Sequence, residues 1–398
     1  MGFSKNPEYI MQVYLDNGSG KPVDPSVVKE MNRYHLEVYG NPASIHSKGF
    51  EALKALNDSR ATVARLVNAE PSEIVFTSGA TEANNLGIIG AINRNKKKGT
   101  KIVISDVEHI SVMNITKSLI REGFSVQACP VDEYGVILLD ELEKLVDDDT
   151  VMVSVMLANG EIGTIQPVKE AAAIAHKHGA LFHSDATAAM GQIKIDTKNL
   201  DIDLMTLSSN DLYGPKGVGA LYIKKGTRAA PHMIGGGQEQ GVRSGTENIP
   251  GIVGMAKAAE IAMKELDEEA ERLTKLRDLL IKGVLDEIPE SYLNGHPTGR
   301  LPGNANIRIS FVEGEALTMS LDEVGIQVGT GSACAAKTLE PSHTLLACGL
   351  KHEEAHGSLV FTLGKNNNRQ QVEYVIEKLP VIVHRLRAMS PLTPEELK

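Results

Sequence analysis

The sequence predicts an α/β fold: a mostly parallel seven-stranded sheet between helices, joined to a smaller α+β unit. Three observations carry this reading. Short apolar runs alternate with helix-period stretches between residues 72 and 225. The chain has 398 residues, 42% of them hydrophobic, which suits one large globular unit or two packed domains. Its 37 glycines supply the turns that a layered architecture uses.

The strand candidates are 73–77, 101–105, 125–129, 151–157, 180–183, 203–207 and 219–223. Between them, stretches such as 81–97 and 168–178 place apolar residues at helical spacing, so the sheet is covered on both faces. From Ile252 a helical pattern runs to Ile288. That is longer than an ordinary globular helix, so a break or a crossing between domains is expected. Residues 304–311, 321–326 and a helix near 370–389 complete a smaller α+β unit. The expected division is a large domain over 16–265 and a small domain made of 1–15 and 266–398.

The net charge of −10 argues against a broad basic surface for nucleic acid. Cys129, Cys334 and Cys348 are widely spaced and form no CxxC, which suits a reducing compartment. The opening MGFSKNPEYIMQ has no apolar core of a signal peptide, and no run of about 18 apolar residues occurs. A cytoplasmic protein with no nucleic-acid or membrane partner is the expectation.

Ligands of open parallel sheets bind beyond the carboxyl ends of the strands. Small and polar residues gather at those ends here: TSGATEANN, DVEH, ANGEIG, HSDAT and SSNDLYGPKG. Each has two readings. The segment 78–81 is either a turn with a helix cap or a phosphate cradle of backbone N–H groups. His109 is a structural histidine or a stacking and proton-moving one. Asp185 caps a helix or serves a ligand. The GPKG at 214–217 is a turn in either case.

Taken together, the set resembles the NifS/IscS-type cysteine desulfurases of the fold-type I, class V aminotransferase group. LDN at 15–17, GNPASIH at 40–46, TSGATEANN, NGEIG, YGPKGVGALY, RSGTEN, YLNGHP, GSAC, LEPSH and RLRAMSPL carry the resemblance, which covers nearly the whole chain. It implies a pyridoxal phosphate site. Asp185 would pair with the pyridine nitrogen, His109 would stack on the ring, and Asn159 would bond the 3-oxygen. Ala80, Thr81 and Ser208 would hold the phosphate, and Thr246 would reach the phosphate of a second copy, which implies a homodimer with shared sites. Cys334 matches the cysteine that takes substrate sulfur as a persulfide. Its neighbours Gly329, Gly331, Ser332 and Ala333 suit an uncrowded loop, whereas Cys129 and Cys348 read as small buried residues.

Four positions depart from the family. Asn210 and Asp211 replace a His-Lys pair, and a carboxylate cannot form an imine with the cofactor aldehyde. Lys216 belongs to the GPKG turn and matches a lysine the family already has there. Val360 stands where an arginine binds the substrate carboxylate, and Ala188 replaces a glutamine that contacts the ring oxygen. Lys365, often arginine in the family, is a milder change. The same Asn-Asp replacement resembles an archaeal branch of the family.

Three functions follow as expectations. The first is a cysteine desulfurase homologue of iron–sulfur cluster assembly with impaired ordinary turnover. Cys334 would then carry persulfide or transiently ligate a [2Fe-2S] cluster shared with a scaffold of the IscU/NifU type. The second is an active desulfurase using non-covalently bound pyridoxal phosphate. The third is a non-enzymatic dimeric scaffold.

Overall fold

The computed structural model describes residues 10–331 and 341–397, so Cys334 lies outside the described residues. The chain opens with a short strand, β1 (Val13–Leu15). Seven strands then build the large sheet: β2 (Ile74–Thr77), β3 (Lys101–Ser105), β4 (Ser125–Cys129), β5 (Thr150–Ser154), β6 (Leu181–Asp185), β7 (Leu204–Ser208) and β8 (Gly219–Ile223). Their order is β2-β8-β7-β6-β5-β3-β4. The run from β7 to β4 is parallel, whereas β8 lies antiparallel to both β7 and β2. Central strands β5 and β7 are buried at every residue, as a sheet covered on both faces requires. Edge strand β4 exposes Ser125 and Ala128 and buries only Cys129 fully.

The helical pattern that begins near residue 252 is one unbroken helix, Ile249–Glu287. Pro250 sits in its first turn, where no N–H is needed, and residues 255–282 contain neither Gly nor Pro. Its first half, including Ile252 and Met255, packs into the core under the large sheet. Its second half, including Leu276 and Leu280, packs into a separate core. The length therefore serves a crossing, not a break.

The second core belongs to a five-stranded sheet of order β1-β11-β12-β10-β9. Its strands are β9 (Ser291–Asn294), β10 (Asn304–Ile309), β11 (Ile326–Thr330) and β12 (Ser358–Thr362), with β1 pairing parallel to β11. The segment 321–326, which the sequence places in the smaller unit, divides between two elements. Leu321 and Asp322 close the helix Gly314–Asp322, the chain turns at Gly325 with φ +81°, and the strand begins at Ile326. Leu321 is apolar because it faces the core from a helix. Among the described residues, no helix is long and apolar enough to cross a membrane.

Candidate active site

The polar residues meet where the parallel strands end. Asp185 is the last residue of β6 and Ser208 the last of β7. Asp185 is buried, and its carboxylate accepts from Asn84 Nδ2 at 2.7 Å and from Thr187 N at 2.9 Å. Asn84 lies on the helix Ala80–Asn95, one turn inside its start. Its Nδ2 also reaches Ser111 Oγ at 2.9 Å, and its Oδ1 accepts from Thr206 Oγ1 at 2.6 Å. These bonds fix the orientation of the carboxyl group.

Ser111 extends the chain to His109. Histidine 109 caps the helix Ile110–Arg121, with Nδ1 accepting from Ser111 N at 3.2 Å and meeting Ser111 Oγ at 2.7 Å. An accepting Nδ1 places the ring proton on Nε2. The His109 side chain is exposed and lines a cavity of about 670 Å³. Asp185 and His109 are thus joined through Asn84 and Ser111.

Asn159 and Val360 line the same cavity. Asn159 Oδ1 accepts from the N–H groups of Glu161 and Ile162, both at 2.9 Å. One hydrogen of its Nδ2 goes to Val107 O at 3.0 Å, which leaves the other for a ligand oxygen. Val360, in the middle of β12, gives the wall an apolar face.

The helix Ala80–Asn95 starts at Gly79 without a side-chain cap. The first-turn N–H groups at Ala80 and Thr81 are therefore available to an anion, as the dipole of the helix favours. Glu82 turns away from them: it accepts from Ser78 N at 2.7 Å and pairs with Arg243 at 2.8 Å.

Position 211 is occupied by a carboxyl group bonded to the Ser208 hydroxyl. Burial pushes the Asp211 pKa up, the Lys21 ammonium and the Ser208 bond pull it back, and the charge of Asp185 raises it further. Asn210 Oδ1 is buried and has no partner among the described residues. Ala188 lies under Gly160, with its Cβ 3.3 Å from where a side chain there would begin. Thr246 is exposed and does not line the cavity of its own chain. Of the remaining cysteines, Cys129 is buried and Cys348 half-buried, and burial lifts both thiols to about 12, so neither is a thiolate at neutral pH.

Sequence reasoning missed two carboxyl groups that line the cavity, Glu108 and Glu161. Glu108 precedes His109 and takes Met156 N at 2.6 Å. Burial, then the charge of Asp185, drives its pKa well above the usual carboxyl range. Glu161 follows NG in NGEIG, and burial lifts it to about 7 against hydrogen bonds from Ser342 and Thr344. Each has one buried oxygen without a partner among the described residues, Glu108 Oε2 and Glu161 Oε1. The signal was an acidic residue beside a polar strand end, which solvated turns also show.

Comparison with known proteins gives the family of the chain. The family described as aminotransferase class-V matches residues 13–375. A cysteine desulfurase IscS 1 of Archaeoglobus fulgidus is 54% identical, covering 95% of this chain and 99% of that protein. A cysteine desulfurase IscS of Methanosarcina thermophila is 48% identical over 97% of this chain and 95% of that protein. Among solved structures, a NifS-like protein superposes with a TM-score of 0.89 at 39% identity, covering 94% of this chain and all of that one.

Proposed function

The chain belongs to the class V aminotransferase family, and on that premise we propose that it is a cysteine-desulfurase-type protein of iron–sulfur cluster assembly that holds pyridoxal phosphate without a covalent bond at residue 211. Pyridoxal phosphate is the cofactor expected of this family. When bound it supplies an electron sink for the bonds at a substrate α-carbon.

The residues present suit that group. Asp185, fixed by Asn84 and Thr187 N, would face the pyridine nitrogen and keep it protonated. The spare Nδ2 hydrogen of Asn159 would meet the 3-oxygen. The uncapped N–H groups of Ala80 and Thr81 would hold the phosphate, joined by Ser208 and by Thr246 of a second copy. His109 would lie against the ring, with Nε2 free to hold or pass a proton. A homodimer is part of the proposal. Leu36, Tyr39, Ile45 and Phe50 expose large apolar side chains around the segment 36–50, Ile45 to 91%.

The single observation that carries the reading is Asp211. Its carboxyl group is half-buried and bonded to Ser208, so this position offers no amine to the cofactor aldehyde. Val360 adds a wall that gives a substrate carboxylate no partner, which slows amino-acid turnover further. The Cys334 thiolate would take sulfane sulfur from a donor persulfide, attacking its outer sulfur while the donor thiolate leaves, or act as a transient thiolate ligand to a [2Fe-2S] cluster on an IscU/NifU-type scaffold. That part rests on the sequence.

A second reading, an active desulfurase with non-covalent cofactor, is favoured by one observation. The chain Asp185–Asn84–Ser111–His109 is intact, so a proton-handling group remains. Alanine and sulfide release from cysteine with added pyridoxal phosphate separates the two. The proposal predicts release about 100-fold or more below that of the Asp211→Lys, Val360→Arg double variant. Equal rates, lost in Cys334→Ser, establish the second reading instead.

A further inference from the structure

Lys21 is the charged residue of the segment NGSGKP, and it is buried, with 7% of its surface exposed. An ammonium taken out of water needs compensation. Its Nζ donates to the backbone carbonyl of Asp211 at 2.7 Å, which brings the ammonium near the Asp211 side chain without a direct ion-pair contact, and it lies 5.0 Å from the centre of the Tyr213 ring. Lysine 21 and Asp211 are 190 positions apart in the chain, so this approach is a product of the fold.

The groups around the pair are largely matched to one another. Lys365 and Glu269 both face Lys21, with opposite effects on it. Lys365 pairs with Glu265, and Glu269 pairs with Arg272. Asp211 faces the like charge of Asp185 across the strand ends and accepts from Ser208. Lys21 is the cation that pulls against the burial of Asp211. A cavity of about 20 Å³ lies among Lys21, Asp211 and Tyr213. That is room for one water and not for a pyridine ring, so Lys21 is not a relocated aldehyde-bonding lysine.

We propose that Lys21 is a positioning residue, the counter-charge of Asp211, delivered from the segment after β1 so that an acidic side chain can lie beside the phosphate of an anionic cofactor. The cofactor half of this statement rests on the proposed function; the charge pair does not. Without Lys21 the Asp211 carboxyl loses its nearby cation and takes up a proton more readily. Its contribution to stability is then present at low pH and lost as pH rises through the folded-state value.

The test is chemical denaturation of cofactor-free protein from about pH 5.5 to about pH 8.5 for wild type, Lys21→Met, Asp211→Asn and the double variant. Lys21→Met should lose midpoint relative to wild type progressively as pH rises. The double variant should run parallel to Asp211→Asn, with no added slope, and Lys21→Arg should restore the wild-type curve. Parallel curves for wild type and Lys21→Met overturn the proposal, as does an equal added slope when Lys21→Met is placed in the Asp211→Asn background. A second arm measures pyridoxal phosphate by equilibrium dialysis. Lys21→Met should bind about tenfold more weakly at the alkaline end than at the acid end, with the dependence removed by Asp211→Asn. If wild type binds no pyridoxal phosphate, the proposed function fails while the denaturation arm still decides the pair.

Discussion

Glu108 spends one carboxyl oxygen on Met156 N and leaves the other buried without a partner among the described residues. Burial, then the charge of the neighbouring Asp185, raises its pKa well above the usual carboxyl range, so it holds a proton more readily than a free carboxyl group. Replacement by Gln keeps the acceptor and should cost little. Glu108→Ala leaves Met156 N unsatisfied and should destabilise by about 1–3 kcal/mol in urea titration. Glu161 gives a pH signature. Its folded-state value is raised to about 7 from 4.5, so its contribution is full below about pH 4.5 and lost as pH rises through about 7. Glu161→Gln should flatten the wild-type decline over that window, read as the denaturation midpoint against pH. Asp185, Asn159 and His109 were legible in the sequence because each follows an apolar strand run. Lys21 was not, because a lone lysine in a Gly-rich turn reads as solvated, and only tertiary structure brings it to Asp211.

At the scale of elements, strands were read well because buried parallel strands are continuous apolar runs with polar ends. Element type was not legible where a short apolar segment spans the end of a helix and the start of a strand, as from Leu321 to Ile326. The single long helix was harder, since sequence cannot separate a break from a crossing that two cores support at either end. One contact ties an element to the site. A Cβ on Gly219 of β8 would come within 2.8 Å of Gly79 Cα, the residue that starts the helix Ala80–Asn95. Gly219→Ala must push β8 and that helix start apart. We expect about 1–3 kcal/mol of destabilisation and weaker pyridoxal phosphate binding, measured by melting and by equilibrium dialysis.

At the scale of the molecule, two sheets with separate cores share one helix and face each other across the cavity. The proposed division, 16–265 against 1–15 with 266–398, predicts that limited proteolysis spares both cores. The proposed dimer predicts that Ile45→Glu shifts the protein to a monomer in light scattering and weakens cofactor binding, because Thr246 would come from the second copy. The central claim concerns residue 211 and is tested most directly by borohydride reduction with pyridoxal phosphate, followed by peptide mass spectrometry. The wild type should bind the cofactor saturably yet carry no pyridoxyl group after reduction, whereas Asp211→Lys should carry it on residue 211. A pyridoxyl group trapped on any lysine of the wild type, or no saturable binding at all, would contradict the account.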